Sequence, residues 1–113
     1  MKMPKPPIEF LVDSFQYQEI TGRNNWDEPI YSEPVTINNC RIDKGATFTQ
    51  TGSGKQLLYN AVIFCYAGLT NPMPKFQPEG LITFDEQEHK IIRAIPITEA
   101  YSKELYAYEI EVV

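Results

Sequence analysis

The sequence predicts an all-β protein, a small single-domain β-barrel or sandwich of about six mostly antiparallel strands with long loops. Its 113 residues are the usual size of one domain, so we expect residues 1–113 to form a single unit. The nine prolines and six glycines are scattered, which leaves no long window with a helical stripe of apolar positions. Several short apolar runs instead alternate with period two between turn residues, which is typical of strands.

The first three strands are predicted from apolar runs that differ in their exposure. Residues 9–20 form the first strand, whose apolar face changes side near Asp13 and Ser14. Such a change of face predicts a bulge at that point. Residues 35–42 form the second strand, which we expect to pair with the first across a long loop. Residues 57–67 are apolar on both faces, which is typical of a central strand buried on both sides.

The C-terminal part predicts the clearest hairpin in the chain, followed by one more strand. Residues 81–84 lead into a tight acidic turn, and residues 89–98 return with isoleucines at period two. Residues 104–113 form the last strand, in which aromatic and aliphatic residues alternate with glutamates. This alternation predicts one buried face and one solvated face, with Glu109 and Glu111 exposed on the second.

Two segments predict long loops. Residues 43–56 are polar and rich in threonine and glycine, and residues 68–80 contain three prolines that exclude regular structure. Long loops of this kind are often functional. We expect Phe76 to pin the second loop to the protein. The run GSGKQ at 52–56 departs from a phosphate-binding loop because Gln56 replaces the hydroxyl residue and a strand follows, so no nucleotide site is predicted.

Composition excludes several classes of function. The formal net charge of −5 argues against a nucleic-acid binder, since such proteins carry basic surfaces. The longest apolar run, residues 61–66, is far shorter than the roughly 20 residues of a membrane helix. The basic N-terminus lacks the apolar region of a signal peptide, so we expect the protein to be made and used in a cytoplasm. Cys40 and Cys65 are expected to be reduced, buried thiols.

We find no residues in a pattern that predicts catalysis, a cofactor or a metal ion. His89 is the only histidine, and it opens a strand beside an acidic turn, where a solvated surface role is the simplest interpretation. One histidine and two distant cysteines are too few for a metal site. No nucleophile motif is present either. The sequence therefore predicts a protein that is not an enzyme and that works through contacts.

Loops and aromatic residues supply the candidate contact sites. Trp26 lies in the first long loop, where it either caps one end of the barrel or anchors a partner protein. The proline-rich segment 1–8 is an extended arm that is either frayed or laid against a neighbouring subunit. The full set of interaction candidates is Trp26, Tyr31, Phe48, Lys55, Phe76, Pro4, Pro6 and Pro7.

The order and spacing of the segments resemble the minor capsid proteins of tailed bacteriophages and prophages of Gram-positive bacteria, a group similar to head-closure proteins. The matching segments are MPKPP (3–7), NWDEPIY (25–31), EPVTI (33–37), NAVIF (60–64), ITFD (82–85), IIRAIP (91–96), YSKEL (101–105) and YEIEV (108–112). The resemblance covers nearly the whole chain.

This resemblance implies a structural virion protein that joins a ring between the portal and the tail and helps to close the head. The implied partners are portal or adaptor proteins, tail-completion proteins and further copies of this chain. The implied location is the virion, after synthesis in the bacterial host cytoplasm. We expect the loop 43–56 to enter the channel or dock on the portal side, and the loop 68–80 to contact subunits. The alternative from the residues alone is a small cytoplasmic β-barrel adaptor that binds a protein or peptide.

Overall fold

A computed structural model describes residues 3–113, with the side chains of all of these except 46–49, 51 and 56–59. The described part contains a short 3-10 helix (Ile8–Phe10) and eight strands: β1 (Asp13–Gln18), β2 (Ile20–Arg23), β3 (Pro29–Tyr31), β4 (Val35–Thr51), β5 (Gly54–Tyr66), β6 (Leu81–Phe84), β7 (Gln87–Thr98) and β8 (Leu105–Val112). Six of them close a barrel in the order β1-β4-β5-β8-β7-β6, in which neighbours are antiparallel. Strands β2 and β3 form a separate two-stranded sheet. The predicted all-β barrel is confirmed.

The barrel interior is filled by one apolar cluster, which forms because alternate residues of each strand point inward. On β5, Ile63 and Cys65 are fully buried, whereas Phe64 between them is half-buried. Val62 on the other face is also buried, as expected for a central strand. The cluster consists of Phe15, Tyr17, Ile37, Cys40, Ile42, Ala61, Ile63, Cys65, Phe76, Ile82, Ile91, Tyr108, Ile110 and Val112.

The predicted bulge in β1 is confirmed, because its pairing with β4 changes register between Asp13 and Ser14. Beyond the bulge, the Asp13 carboxylate accepts a hydrogen bond from the backbone N–H of Ile42 at 2.9 Å, which holds the two strands together there. Cys40 and Cys65 are free and buried in the interior, as predicted. The hydrogen bond between the two thiols is the main cause of a raised pKa of Cys65, and burial is the second cause. The Cys65 thiol therefore packs as a neutral apolar group.

Residues 43–56 are not the long loop that the sequence predicted but the outer part of a β-hairpin. Strand β4 continues to Thr51, and β5 begins at Gly54, which takes a φ of 123° at the turn. The local reason is that threonines recur every second residue at 47, 49 and 51, and β-branched residues at that spacing favour a strand. The composition had suggested a loop because threonine and glycine are also common in turns.

This hairpin extends well past the closed part of the barrel. Strand β4 pairs with β1 only up to Cys40, and β5 pairs with β8 only from Ala61 onward. Among the described pairings, residues 45–60 therefore pair only with each other, and we call them the β4–β5 extension. At the usual rise per strand residue, the extension reaches roughly 25 Å from the barrel. The radius of gyration of 15.3 Å exceeds the roughly 13 Å of a compact chain of this size, in line with such a projection.

The segment 68–80 contains no helix or strand, and it covers one end of the barrel. Its Phe76 ring packs against Phe15, Tyr17 and Tyr108, with ring-centroid distances of 6.0, 4.9 and 5.4 Å. At Gly80 the chain passes so close to the core that a Cβ atom would lie 2.9 Å from the Tyr17 ring. Glycine is needed at this close approach.

Glu111 is buried, which corrects the prediction that β8 has a solvated glutamate face. Its side chain is 7% exposed, and its carboxylate lies 2.8 and 3.0 Å from the Arg93 guanidinium. Arg93 on β7 and Val62 on β5 stand opposite Glu111 on either side. The two flanking strands enclose the carboxylate, and a paired cation makes its burial tolerable. Glu109 is half-buried.

Candidate interaction surfaces

The turn between β2 and β3 holds Trp26 out into solvent, with 78% of its surface exposed. The Asn24 side-chain oxygen accepts hydrogen bonds from the backbone N–H groups of Trp26 and Glu28 at 2.9 and 3.0 Å. The Arg23 guanidinium donates to the backbone carbonyl of Asp27 at 3.0 Å, and Asp27 has a φ of 62°. The indole is therefore presented by a turn with many internal bonds, residues 23–28, which we call the Trp26 turn. The interpretation that Trp26 caps the barrel is wrong.

The β2–β3 sheet is fixed to the barrel by polar contacts at its base and near its tip. The Gln18 amide donates to the Ser32 carbonyl at 3.0 Å, and the Arg23 guanidinium meets the Glu79 carboxylate at 3.1 Å. Tyr31 stands opposite Ile20 and is half-buried. The structure thus places Tyr31 at the base of this sheet and Trp26 at its exposed tip.

The other candidates from the loops have different environments. Lys55 is exposed near the start of β5, at the outer end of the β4–β5 extension. Phe48 lies in β4, but its side chain is outside the described residues. Phe76 is 2% exposed, so its contacts are with the barrel core, and it offers no surface to a partner.

The N-terminal arm lies against its own barrel, with Pro4 and Pro7 exposed and Pro6 half-buried. Three hydrogen bonds hold it there: from the Met3 N–H to the Glu99 carboxylate at 2.7 Å, from the Tyr106 hydroxyl to the Pro4 carbonyl at 2.7 Å, and from the Lys5 ammonium to the Ala67 carbonyl at 2.6 Å. The arm is not frayed from residue 3 onward. Contact of its exposed prolines with a neighbouring subunit stays a prediction.

Sequence reasoning missed two exposed aromatic features. Tyr101 is fully exposed and has a φ of 62° in the turn between β7 and β8. Phe10 and Val12, which the sequence placed in a strand, are 68% and 80% exposed; Phe10 ends the short N-terminal helix and Val12 follows it. Trp26 follows two asparagines and Tyr101 precedes Ser102 and Lys103, so an aromatic residue beside polar turn residues is a signal that could have identified both.

A cleft of about 360 Å³ opens where the β4–β5 extension meets the turn between β6 and β7. This mouth cleft is lined by Lys44, Asn60, Ala61, Phe84, Asp85, Gln87 and His89. The Phe84 and His89 rings stack with centroids 4.4 Å apart and planes 9° from parallel. The Lys44 ammonium binds the Asp85 carboxylate and lies 5.8 Å from the Phe84 ring centroid. The hydrogen bond with Asp85 raises the pKa of Lys44, which keeps it charged.

Charge is distributed unevenly along the chain. Residues 44–78 contain three lysines and no aspartate or glutamate, although the whole chain carries a net charge of −5. The segment 19–33, which includes the β2–β3 sheet, has four acidic residues and one arginine. The β4–β5 extension therefore belongs to a basic part of the chain, and the Trp26 turn belongs to an acidic part. The mouth cleft is mixed, because it joins Lys44 to the acidic turn 85–88.

The described part of the chain lacks two classes of feature. No three or more His, Cys, Asp or Glu side chains there come together in a way that could hold a metal ion. No helix within residues 3–113 is long and apolar enough to cross a membrane. The prominent surface features that remain are the Trp26 turn, the mouth cleft and the β4–β5 extension.

These features define a class of small all-β barrel with an exposed aromatic turn and a projecting hairpin. Residues 7–112 match the family described as "Minor capsid protein", so the chain belongs to that family. Its role is therefore that of a structural protein of the virion, where it contacts other virion components.

Relatives of the chain occur in phages. "Uncharacterized protein ORF5" of Lactococcus phage LL-H is 28% identical over 80 residues, which cover 68% of each chain. "Uncharacterized protein ORF5" of Lactococcus phage mv4 is 24% identical over 97 residues, which cover 80% of this chain and 85% of the relative. No solved structure matches the chain. The virion role thus rests on the family match.

Proposed function

We propose that this minor capsid protein is a head–tail connector component, which joins a ring between the portal and the tail and helps to close the head. The observation that carries the proposal is the β4–β5 extension. It leaves the barrel as a two-stranded projection of roughly 25 Å, long enough to reach a neighbouring layer of the particle. Its sequence from 45 to 60 contains one charged residue, Lys55, so it lacks the acidic groups that would repel DNA or an acidic neighbour.

The barrel supports this role by holding the extension on a closed, rigid base. Closure removes free sheet edges from the barrel itself, and the core cluster fixes the direction in which β4 and β5 leave it. The portal or adaptor proteins and the tail-completion proteins are the partners of this proposal. The extension docks on the portal side or enters the channel.

A shortened variant tests the proposal. Replacing residues 45–60 by Asn-Gly joins Lys44 to Ala61, which already face each other in the ladder, through a two-residue hairpin loop. We expect the variant to fold but, when it replaces the wild-type protein in a phage, to give heads without tails or heads that lose DNA. Tyr101→Ala, which changes an exposed turn at the other end of the barrel, is the control and should give infectious particles.

The location of the protein is tested separately by antibody labelling of purified particles in the electron microscope. Label at the junction of head and tail is the expected result. Infectious particles from the shortened variant, or label elsewhere on the particle, would contradict the connector role. Absence of the protein from purified particles would favour the adaptor function instead.

A further inference from the structure

Cys40 and Cys65 stand opposite each other across the seam between β4 and β5, inside the closed part of the barrel. At this end the ladder between the two strands stops at the pair of Arg41 and Phe64. One step further in the same register, Cys40 faces Cys65. Both residues are 0% exposed, and their thiols are hydrogen-bonded to each other. Opposite residues on antiparallel strands have Cα atoms about 4.5–5.5 Å apart, within the roughly 4.4–6.8 Å that a disulfide spans. The two strands are therefore already spaced for a disulfide.

The strands beside the two cysteines are joined irregularly on both sides of β4. The Tyr66 N–H donates to the Thr70 hydroxyl at 2.9 Å, and this hydroxyl donates to the Asn39 carbonyl at 2.7 Å. A side chain thus replaces the ladder between β4 and β5 one step beyond the cysteines. Towards β1, Cys40 lies at the bulge, where its thiol donates to the Asp13 carbonyl at 3.3 Å. A covalent bond at Cys40 would therefore fasten β4 where its backbone pairing is interrupted.

The same position protects the reduced pair. The hydrogen bond with Cys40, and then burial, raise the pKa of Cys65, so its reactive thiolate is scarce in the closed barrel. Oxidation therefore requires a brief local opening, which is easier where strands are joined irregularly. This chain belongs to a family of virion proteins, and a virion leaves the reducing interior of its host for an oxidising exterior, where disulfides persist. A slow oxidation is thus timed to follow release of the particle.

We propose that Cys40 and Cys65 are a latent disulfide, which closes once the virion has left the host cell and fastens β4 to β5 where their ladder stops. The oxidant is a peroxide. A thiolate attacks one peroxide oxygen, so an S–O bond forms and the O–O bond breaks. The second sulfur then attacks the first, so an S–S bond forms and the S–O bond breaks. With hydrogen peroxide, two thiols give one disulfide and two molecules of water. The new bond closes a loop of roughly 25 residues that contains the whole β4–β5 extension.

Treatment of the purified, reduced protein with hydrogen peroxide tests whether the pair closes. We expect the mass to fall by two hydrogen atoms, the chain to stay monomeric on a non-reducing gel, and the urea midpoint of unfolding to rise by about 1–2 M. Dithiothreitol should restore the mass and the midpoint, which separates the disulfide from methionine oxidation and needs no substitution. Cys65→Ala leaves Cys40 as the single cysteine and should show no rise of the midpoint.

Purified particles give the decisive result. Particles and freshly lysed infected cells are denatured in iodoacetamide without a reductant, and the peptides that contain Cys40 and Cys65 are identified by mass spectrometry. Both cysteines should be alkylated in protein from the cells and joined to each other in protein from the particles. Two alkylated cysteines in the particles overturn the proposal, as does a pair already joined in the cells. Disulfide-linked dimers or an unchanged urea midpoint after peroxide treatment overturn it as well. These outcomes concern only the two cysteines and leave the connector role intact.

Discussion

Phe76→Ala tests whether the segment 68–80 closes the barrel through a single aromatic anchor. The ring is 2% exposed and lies within 6.0 Å of three aromatic rings of the core, so its removal leaves a cavity that these rings cannot fill. Truncation of a buried phenylalanine costs about 3–5 kcal/mol, and the aromatic contacts place this site near the middle of that range or above it. A domain of this length has a free energy of unfolding of about 6–17 kcal/mol, so a loss of about 4 kcal/mol is a large fraction.

Urea unfolding measures the effect. With a slope of about 2 kcal/mol per molar urea, the midpoint of unfolding should fall by about 2 M. Phe10→Ala is the matched control, because Phe10 is 68% exposed and its truncation should change the free energy of unfolding by less than about 0.5 kcal/mol. Equal shifts for the two variants would refute the reasoning, since the buried and the exposed phenylalanine would then contribute alike.

Three further predictions concern the buried ion pair, the buried phenol and the Trp26 turn. Arg93→Met leaves the Glu111 carboxylate buried without its partner and should lower the free energy of unfolding by about 2 kcal/mol. Urea titrations measure the effect, and an unchanged midpoint of unfolding would mean that water solvates Glu111. Burial raises the pKa of Tyr17 above 10.0, so the unfolded chain releases this proton first. The free energy of unfolding should therefore fall as the pH rises above 10, and it should fall less in Tyr17→Phe. Urea titrations at pH 8 and pH 11 measure this loss, and an equal loss in the two proteins would contradict the prediction. Asn24→Ala removes the acceptor of two backbone hydrogen bonds and should lower the fluorescence anisotropy of Trp26. The urea midpoint should stay within about 0.5 M of the wild-type value. Unchanged anisotropy would show that other contacts hold the turn.

Much of the barrel could be predicted because its signals are local. A strand that faces a core on one side alternates with period two, and such runs marked most of the barrel strands. The change of apolar face near Asp13 and Ser14 predicted the bulge, because a single extra residue reverses every side chain that follows. The family resemblance was likewise visible in the order of these segments and is confirmed by the match of residues 7–112.

The predictions that were wrong depend on contacts between residues that are distant in sequence. Composition could not separate a loop from a projecting hairpin at 43–56, because threonine and glycine occur in both. The burial of Glu111 depends on Arg93 and on the strands either side of β8, which alternation within β8 does not reveal. Phe76 was predicted both to pin its loop and to contact a partner. Only the closed barrel shows that its ring is enclosed and cannot reach a partner.

The proposed connector role limits the assemblies that this chain can form. A two-fold interface brings the same patch of both subunits together, whereas a ring of more than two copies needs contacts between two different patches of each copy. Contacts between different patches repeat from copy to copy and give a ring when the rotation closes, or an open filament when it does not. A ring is the product that a connector requires, and the β4–β5 extension is then repeated around it. The same extension would be placed once per subunit to meet the neighbouring layer, so subunit contact and layer contact would be carried by separate parts of one small barrel.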